Sequence, residues 1–213
     1  MKTINRTPLA ALLALSVLAT PVMAADAVTG TDYEAVVAEL KASFAEKGDV
    51  KLDRIDQSPM QKACSQAEMT GKPLSREEAA AITKQALAGV KKPADGKYLG
   101  DWKAGEKIAQ NGRGLQTSDQ PGTANGGNCY ACHQMTKAEI SYGNIGPSLL
   151  HYGKLRGSSQ AMIDYTWSKL YDSHGTMACS TMPRFGAAGI LTEAQLKDVM
   201  ALLLDPQSHV NND

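Results

Sequence analysis

Aromatic residues are scarce in this sequence: two Trp, two Phe and seven Tyr make up 5% of 213 residues. So few large rings leave a chain of this length short of ordinary core material. An excess of one charge is also missing, since 22 Lys and Arg balance 22 Asp and Glu. That excludes nucleic acid as the expected partner, because its binders carry a basic surplus or stripe. Beyond the first two dozen residues no apolar run is long enough to cross a bilayer, so no membrane span is expected. No segment alternates apolar and polar residues as a half-buried strand does, and the class expected is all-α. Repeats and low-complexity tracts are absent. No nucleophile stands beside a base in any recognisable pattern, so no catalytic residue is assigned to this chain. There are only four Cys and four His, few enough to be considered one by one.

The N-terminus reads as an export signal. Lys2 and Arg6 precede an apolar core from Leu9 to Ala19, and Val22-Met23-Ala24 has the small-residue pattern of a cleavage site. The core is too short for a span and no stop-transfer charges follow. Residues 1–24 are therefore assigned to a removed signal peptide. The mature chain, slightly acidic once Lys2 and Arg6 are gone, is expected in an exported compartment, most simply a bacterial periplasm, where disulfides survive.

Residues 25–95 read as a helical N-terminal extension. Tyr33, Val36, Val37, Leu40 and Phe44 share one face of a helix predicted over 33–47, capped by Thr31 or Asp32 and closed at Gly48. Ser58-Pro59 opens a second helix that carries Cys64. Ser75 and Glu78 form a capping box for a third, ending near Gly89. Residues 91–96 look like a linker. From 96 to 213 a second unit begins. Asp101 caps a helix to about Gln110, with Trp102, Ile108 and Ala109 inward and Gly105 allowing another helix to cross closely. Residues 113–128 form a loop. A helix from Ser159 to Tyr171 turns Met162, Ile163, Tyr165 and Leu170 inward, with Trp167 as core. After a loop over 175–189, Thr192 and Gln195 cap a last helix with Leu196, Val199, Met200 and Leu203 on its apolar face.

The long loop leads into Cys129-Tyr130-Ala131-Cys132-His133. Two thiols at this spacing can add to the two vinyl groups of one haem, and the histidine that follows becomes the proximal iron ligand. A redox dithiol does not need the histidine, and a zinc site would need two more ligands nearby. Covalent haem c attached through Cys129 and Cys132, with His133 on the iron, is the reading adopted. A bound porphyrin would also supply much of the apolar core that the scarce aromatics do not. In Ile145-Gly146-Pro147 a backbone carbonyl can accept the Nδ1 proton of His133, with the stiff proline pressing on the ring edge; the competing reading is an ordinary Gly-Pro turn.

A low-spin haem takes a second axial ligand. Met162 and Met200 sit on core faces, Met135 is too close to His133, and His209 lies near a polar, frayed terminus; His151 is a further histidine. The loop before the last helix offers Met182, held extended by Pro183, with Met177 and His174 as alternatives. Met182 is the ligand assigned. Two cysteines then remain, Cys64 and Cys179, and a disulfide between them would tie the extension to the Met182 loop. Two buried thiols or a bridge to another subunit are the other possibilities.

Taken together, residues 127–134, 143–149, Met182-Pro183-Arg184-Phe185-Gly186, residues 189–193 and Leu204-Asp205-Pro206 with Val210-Asn211 resemble SoxX, the monohaem subunit of the SoxAX cytochrome complex of bacterial sulfur oxidation. The resemblance implies a class I-like cytochrome c domain over 96–213. It also implies a heterodimer with a SoxA-like haem subunit, together acting as an L-cysteine S-thiosulfotransferase. Thiosulfate is coupled oxidatively to a cysteine of a SoxYZ-like carrier, at a haem expected in the SoxA-like partner. This subunit would accept the electrons through its His133/Met182-ligated haem and pass them to a small cytochrome c. The alternative is a free-standing electron-transfer cytochrome c without a catalytic partner.

Overall fold

The computed structural model describes residues 32–212. The expected signal peptide, the capping alternative Thr31 and the first residues of the extension lie outside the described residues. Among the described residues the chain is all-α, and the one β contact is an isolated bridge between Lys47 and Val50.

The extension contains α1 (Tyr33–Ser43), α2 (Pro59–Thr70) and α3 (Arg76–Gly89). Asp32 caps α1 through its carboxylate, which accepts from the Glu34 amide at 3.0 Å. Capping boxes open the other two, Ser58 with Gln61 and Ser75 with Glu78, and Gly71 closes α2 at φ +64. The first helix stops at Ser43, short of the predicted 47. Gly48, at φ +58, belongs to a tight turn that pairs Lys47 with Val50, and the chain must leave the helix to make it. The expected apolar face is also only partly buried. Val37 is covered, whereas Val36, Leu40 and Phe44 are exposed, Phe44 at 61%. Docking onto the rest of the protein falls instead to α3, which buries Ile82 and Ala86 and packs on the Ser173–Gly175 turn.

The remainder holds α4 (Trp102–Gln110), α5 (Tyr152–Arg156), α6 (Gln160–Tyr171), α7 (Glu193–Leu204) and α8 (His209–Asn212). Its centre is the crossing of α4 and α7. Gly105 makes the crossing possible, because a Cβ there would run into the carbonyl of Asp198. Around it a core assembles from Ala109, Leu196, Val199, Met200, Leu202 and Leu203 with Trp167, Leu170, Phe185 and Val210. Leu202 and Leu204 are buried beyond the face that periodicity marks, since α5, α6 and α8 all pack against α7.

The 91–96 linker is pinned rather than free. Trp167 donates its indole N–H to the Lys91 carbonyl at 2.9 Å, Tyr98 stacks edge-on against Trp167, and Lys197 pairs with Asp95 at 2.8 Å. Tyr165, expected inward, is 47% exposed, because α6 turns Thr166, Trp167 and Leu170 to the core. The C-terminal stretch, expected to fray, is docked. Asn211 is buried and its side-chain amide donates to the carbonyls of Leu203 and Asp205 just at the end of α7. No helix among the described residues is long and apolar enough to cross a membrane.

Replacing Gly105 by Ala should overpack the α4–α7 crossing and cost about 1–3 kcal/mol. A thermal melt checks this, and a midpoint equal to that of the unsubstituted protein would contradict the packing described.

Candidate functional site

The 113–128 loop returns the chain to the end of α4. Gly127 and Asn128 donate their amides to the carbonyls of Ile108 and Asn111, and Asn125 is held to Ile190 and Gln195 at 2.8 and 2.7 Å. Asn128 then turns left-handed at φ +46, and Cys129–Ala131 form one turn of 3-10 helix closed by the Cys132 amide on the Cys129 carbonyl at 3.1 Å, which also accepts from the His133 amide at 2.9 Å. This single tight turn presents Cys129, Cys132 and His133 together. Tyr130, between the two cysteines, anchors it: the ring is buried and its hydroxyl donates to Glu106 of α4 at 2.8 Å. Sequence reasoning assigned Tyr130 no role, although an aromatic in an otherwise small, polar stretch was a signal for an inward anchor.

The 143–147 segment lies flat against this turn. Gly143 and Gly146 donate their amides to the carbonyls of Tyr130 and Cys132, both at 2.9 Å. A Cβ on Gly143 would strike the Ala131 carbonyl, and one on Gly146 would overlap the His133 ring. His133 Nδ1 lies 2.7 Å from the Pro147 carbonyl. A carbonyl can only accept, so Nδ1 carries the proton and Nε2 keeps its lone pair for a metal. The expected carbonyl is thus present, that of Pro147, and Gly146 lies close against the ring.

Cys129 and Cys132 are not bridged to each other. Burial pushes the Cys129 thiol up to about 12. A thiol raised in this way supplies little thiolate, so Cys129 is poorly suited to attack a disulfide. Among the described residues no three His, Cys, Asp or Glu side chains gather as a metal site.

Cys64 and Cys179 form a disulfide, with Cα atoms 5.5 Å apart across 115 positions of sequence. It fastens α2 to the loop that carries Met182. That loop is held from both sides. Ser173 donates its hydroxyl to the Met182 carbonyl at 2.6 Å, and the Met182 amide donates to Ser180 Oγ at 3.3 Å. Phe185 is buried beneath it, and its carbonyl accepts from Leu191. The Met182 side chain packs at the edge of the core, half-buried.

The other candidates are placed differently. Met177 is 62% exposed, Met135 and Met200 are sealed in the core, and Met162 contacts the Tyr152 hydroxyl. His209 stacks on Trp102 with ring centres 4.8 Å apart, and His151 stands left-handed at the start of α5. His174 is buried, and burial holds its imidazole below the usual histidine range. A cavity of about 480 Å³ opens beside Met182, lined also by His174, Arg184 and, from the extension, Gln57 and Gln61. The contribution of the extension to this wall was missed in the sequence, where nothing ties residues 57–61 to 182–184 except the inferred disulfide.

No family model matches the chain. It is 37% identical over 172 residues to a protein of Aquifex aeolicus (strain VF5) described as an uncharacterized lipoprotein, a match that covers 80% of each chain.

Replacing Cys64 and Cys179 together by Ser should cost about 2–5 kcal/mol of stability. Equilibrium unfolding of the double variant checks it, and an unchanged midpoint would mean that the bridge constrains nothing.

Proposed function

The chain belongs to the same family as the Aquifex aeolicus lipoprotein, and from that premise we propose that it is an exported, monohaem c-type cytochrome. The description of that relative as a lipoprotein fits export, as does a disulfide in this chain. One observation carries the haem reading: the bond from His133 Nδ1 to the Pro147 carbonyl. It fixes the tautomer and orientation that an iron ligand needs, inside a turn that also presents two unbridged thiols.

The residues present fit the group. Cys129 and Cys132 would hold haem c by thioether bonds, His133 would ligate its iron through Nε2, and Met182 would be the second protein ligand. Haem c supplies one-electron redox chemistry when bound. The protein's own part is to orient His133 through Pro147 and Gly146 and to hold the Met182 loop by Ser173, Ser180 and the disulfide. A soft thioether favours ferrous iron and so raises the potential over bis-His ligation. The domain over 96–212 is read accordingly as a class I-like cytochrome c domain.

The physiological role proposed is that of SoxX: electron acceptor in a SoxAX-type L-cysteine S-thiosulfotransferase, beside a SoxA-like haem subunit, serving a SoxYZ-like carrier and a small cytochrome c. The motif matches over 127–149 and 182–211 support it. An unburied apolar surface on α1, formed by Val36, Leu40 and Phe44, favours a partnered subunit over a free shuttle.

Met182→Gly should lower the midpoint potential and open the ferrous protein to carbon monoxide, both read spectroscopically; an unchanged spectrum and potential would reject Met182 as ligand. In a pull-down with haem staining the protein should retain a second haem subunit, and the pair should turn over thiosulfate with the carrier. A strictly monomeric protein that stays oxidised in that mixture would leave the free shuttle as the better reading.

A further inference from the structure

We propose that the cavity beside Met182 is a binding and exchange site for a small zwitterionic aminothiol, which attacks the Cys64–Cys179 disulfide at Cys179. The inference stands independently of the haem reading.

Both cysteines of the bridge line the cavity. Cys179 is exposed and Cys64 half-buried, so the sulfur open to attack is that of Cys179. The void, about 480 Å³, has the size of a small-molecule pocket. Three groups on its wall lack the partners their chemistry calls for. Arg184 is half-buried, and its contact within the protein is a 3.3 Å approach of Nη2 to Gln61 Oε1. No carboxylate lies within ion-pair distance of it among the described residues. A guanidinium has five N–H donors, so Arg184 has donors to spare for an anion. Gln57 Oε1 and His174 Nδ1 are buried without a hydrogen-bond partner. The Gln57 amide spends its NH₂ group on Ser65 Oγ at 2.8 Å, which leaves the oxygen as an acceptor. Burial holds His174 below the usual histidine range, so at pH 7 the ring is neutral and can accept a proton. Buried polar atoms are nearly always paired, and these two await donors.

The wall therefore asks for an anion at Arg184, a hydrogen-bond donor at Gln57 and an acidic proton at His174, all beside an accessible disulfide. An amino acid thiol answers each need. Its carboxylate pairs with the guanidinium, its ammonium donates to Gln57 Oε1 and its S–H faces His174 Nδ1. The exchange balances without an outside oxidant or reductant. The S–H proton passes to His174 Nδ1, and the thiolate electron pair forms a new S–S bond to Cys179 Sγ. The Cys64–Cys179 bond breaks, and its electron pair leaves on Cys64 Sγ, which takes the proton back from His174. One thiol is consumed, and the products are a mixed disulfide on Cys179 and a free thiol on Cys64. Cys64 Sγ lies 3.5 Å from the Ala178 carbonyl, which can accept from the new S–H. The exchange unfastens α2 from the loop that carries Met182.

The test uses the full chain purified from the exported fraction. The probes are L-cysteine, cysteamine, which lacks the carboxylate, and 3-mercaptopropionate, which lacks the ammonium. Intact mass follows the mixed disulfide and peptide mapping locates it. Each rate is divided by that of the same thiol on the denaturant-unfolded chain, which removes the thiol's own reactivity. L-cysteine should couple to Cys179, leave Cys64 open to alkylation, and react about tenfold or more faster on this scale than either truncated probe, the worth of a hydrogen bond to a charged group. Arg184→Gln should bring the L-cysteine rate down to that of cysteamine. A variant that keeps the preference for L-cysteine over cysteamine would overturn the proposal. Should Arg184→Gln not fold, the three probes on the unsubstituted protein still decide, and equal relative rates would reject the site. A bridge that no thiol opens until the chain is unfolded would likewise sink it, as would an adduct carried on Cys64 instead of Cys179.

Discussion

The close approach of residues 143–147 to the turn at 129–133 is the constraint on which the rest of the site depends. It exists because two glycines lack a Cβ: at Gly143 one would meet the Ala131 carbonyl, and at Gly146 the imidazole of His133. Two backbone hydrogen bonds close the gap, and the third, from His133 Nδ1 to Pro147, is what the arrangement achieves. A bond to a histidine is worth little in net stability, on the order of 1 kcal/mol. Its value lies in direction. It sets which nitrogen keeps a lone pair, and the buried Tyr130 keeps the whole turn from rocking on α4.

The second half of the site is built by different means. The Met182 loop has little regular structure, so it relies on tethers. Ser173 and Ser180 hold its backbone, Phe185 roots it in the core, and Cys179 chains it to α2. The disulfide spans 115 positions, a loop length for which the chain-entropy model gives about 3–5 kcal/mol. The extension is accordingly part of the site. It packs through α3 on the Ser173–Gly175 turn and lines the cavity with Gln57 and Gln61.

Much of this was legible in the sequence where a local rule acts alone. The N-cap at Ser58-Pro59 and the capping boxes at Ser75 and Thr192 place three helix starts correctly, because a cap is decided within four residues. Gly105 announced a helix crossing, and the surplus pair Cys64 and Cys179 announced a bridge. What could not be read depends on distant chain. The end of α1 is set by a turn at Lys47–Val50, the exposure of Tyr165 by which side of α6 meets the core, and the docking of the C-terminus by Asn211 reaching back to α7. A backbone carbonyl in residues 145–147 was foreseen as an acceptor, and it is that of Pro147. That Gly146 lies close against the ring follows from a register that spacing alone does not give.

The structure thus supplies a fixed imidazole and two thiols on one turn, and a methionine loop tethered by Ser173, Ser180 and a disulfide. On the proposed reading the residues that handle thiosulfate belong to a partner, and this chain would hold a redox centre steady. The most direct measurement is the intact mass and pyridine haemochrome spectrum of the protein from the exported fraction of cells able to attach haem c. The account predicts one haem per chain that survives denaturation, with Cys129 and Cys132 both unavailable to alkylation. A chain of bare polypeptide mass in which those two thiols alkylate freely would contradict it.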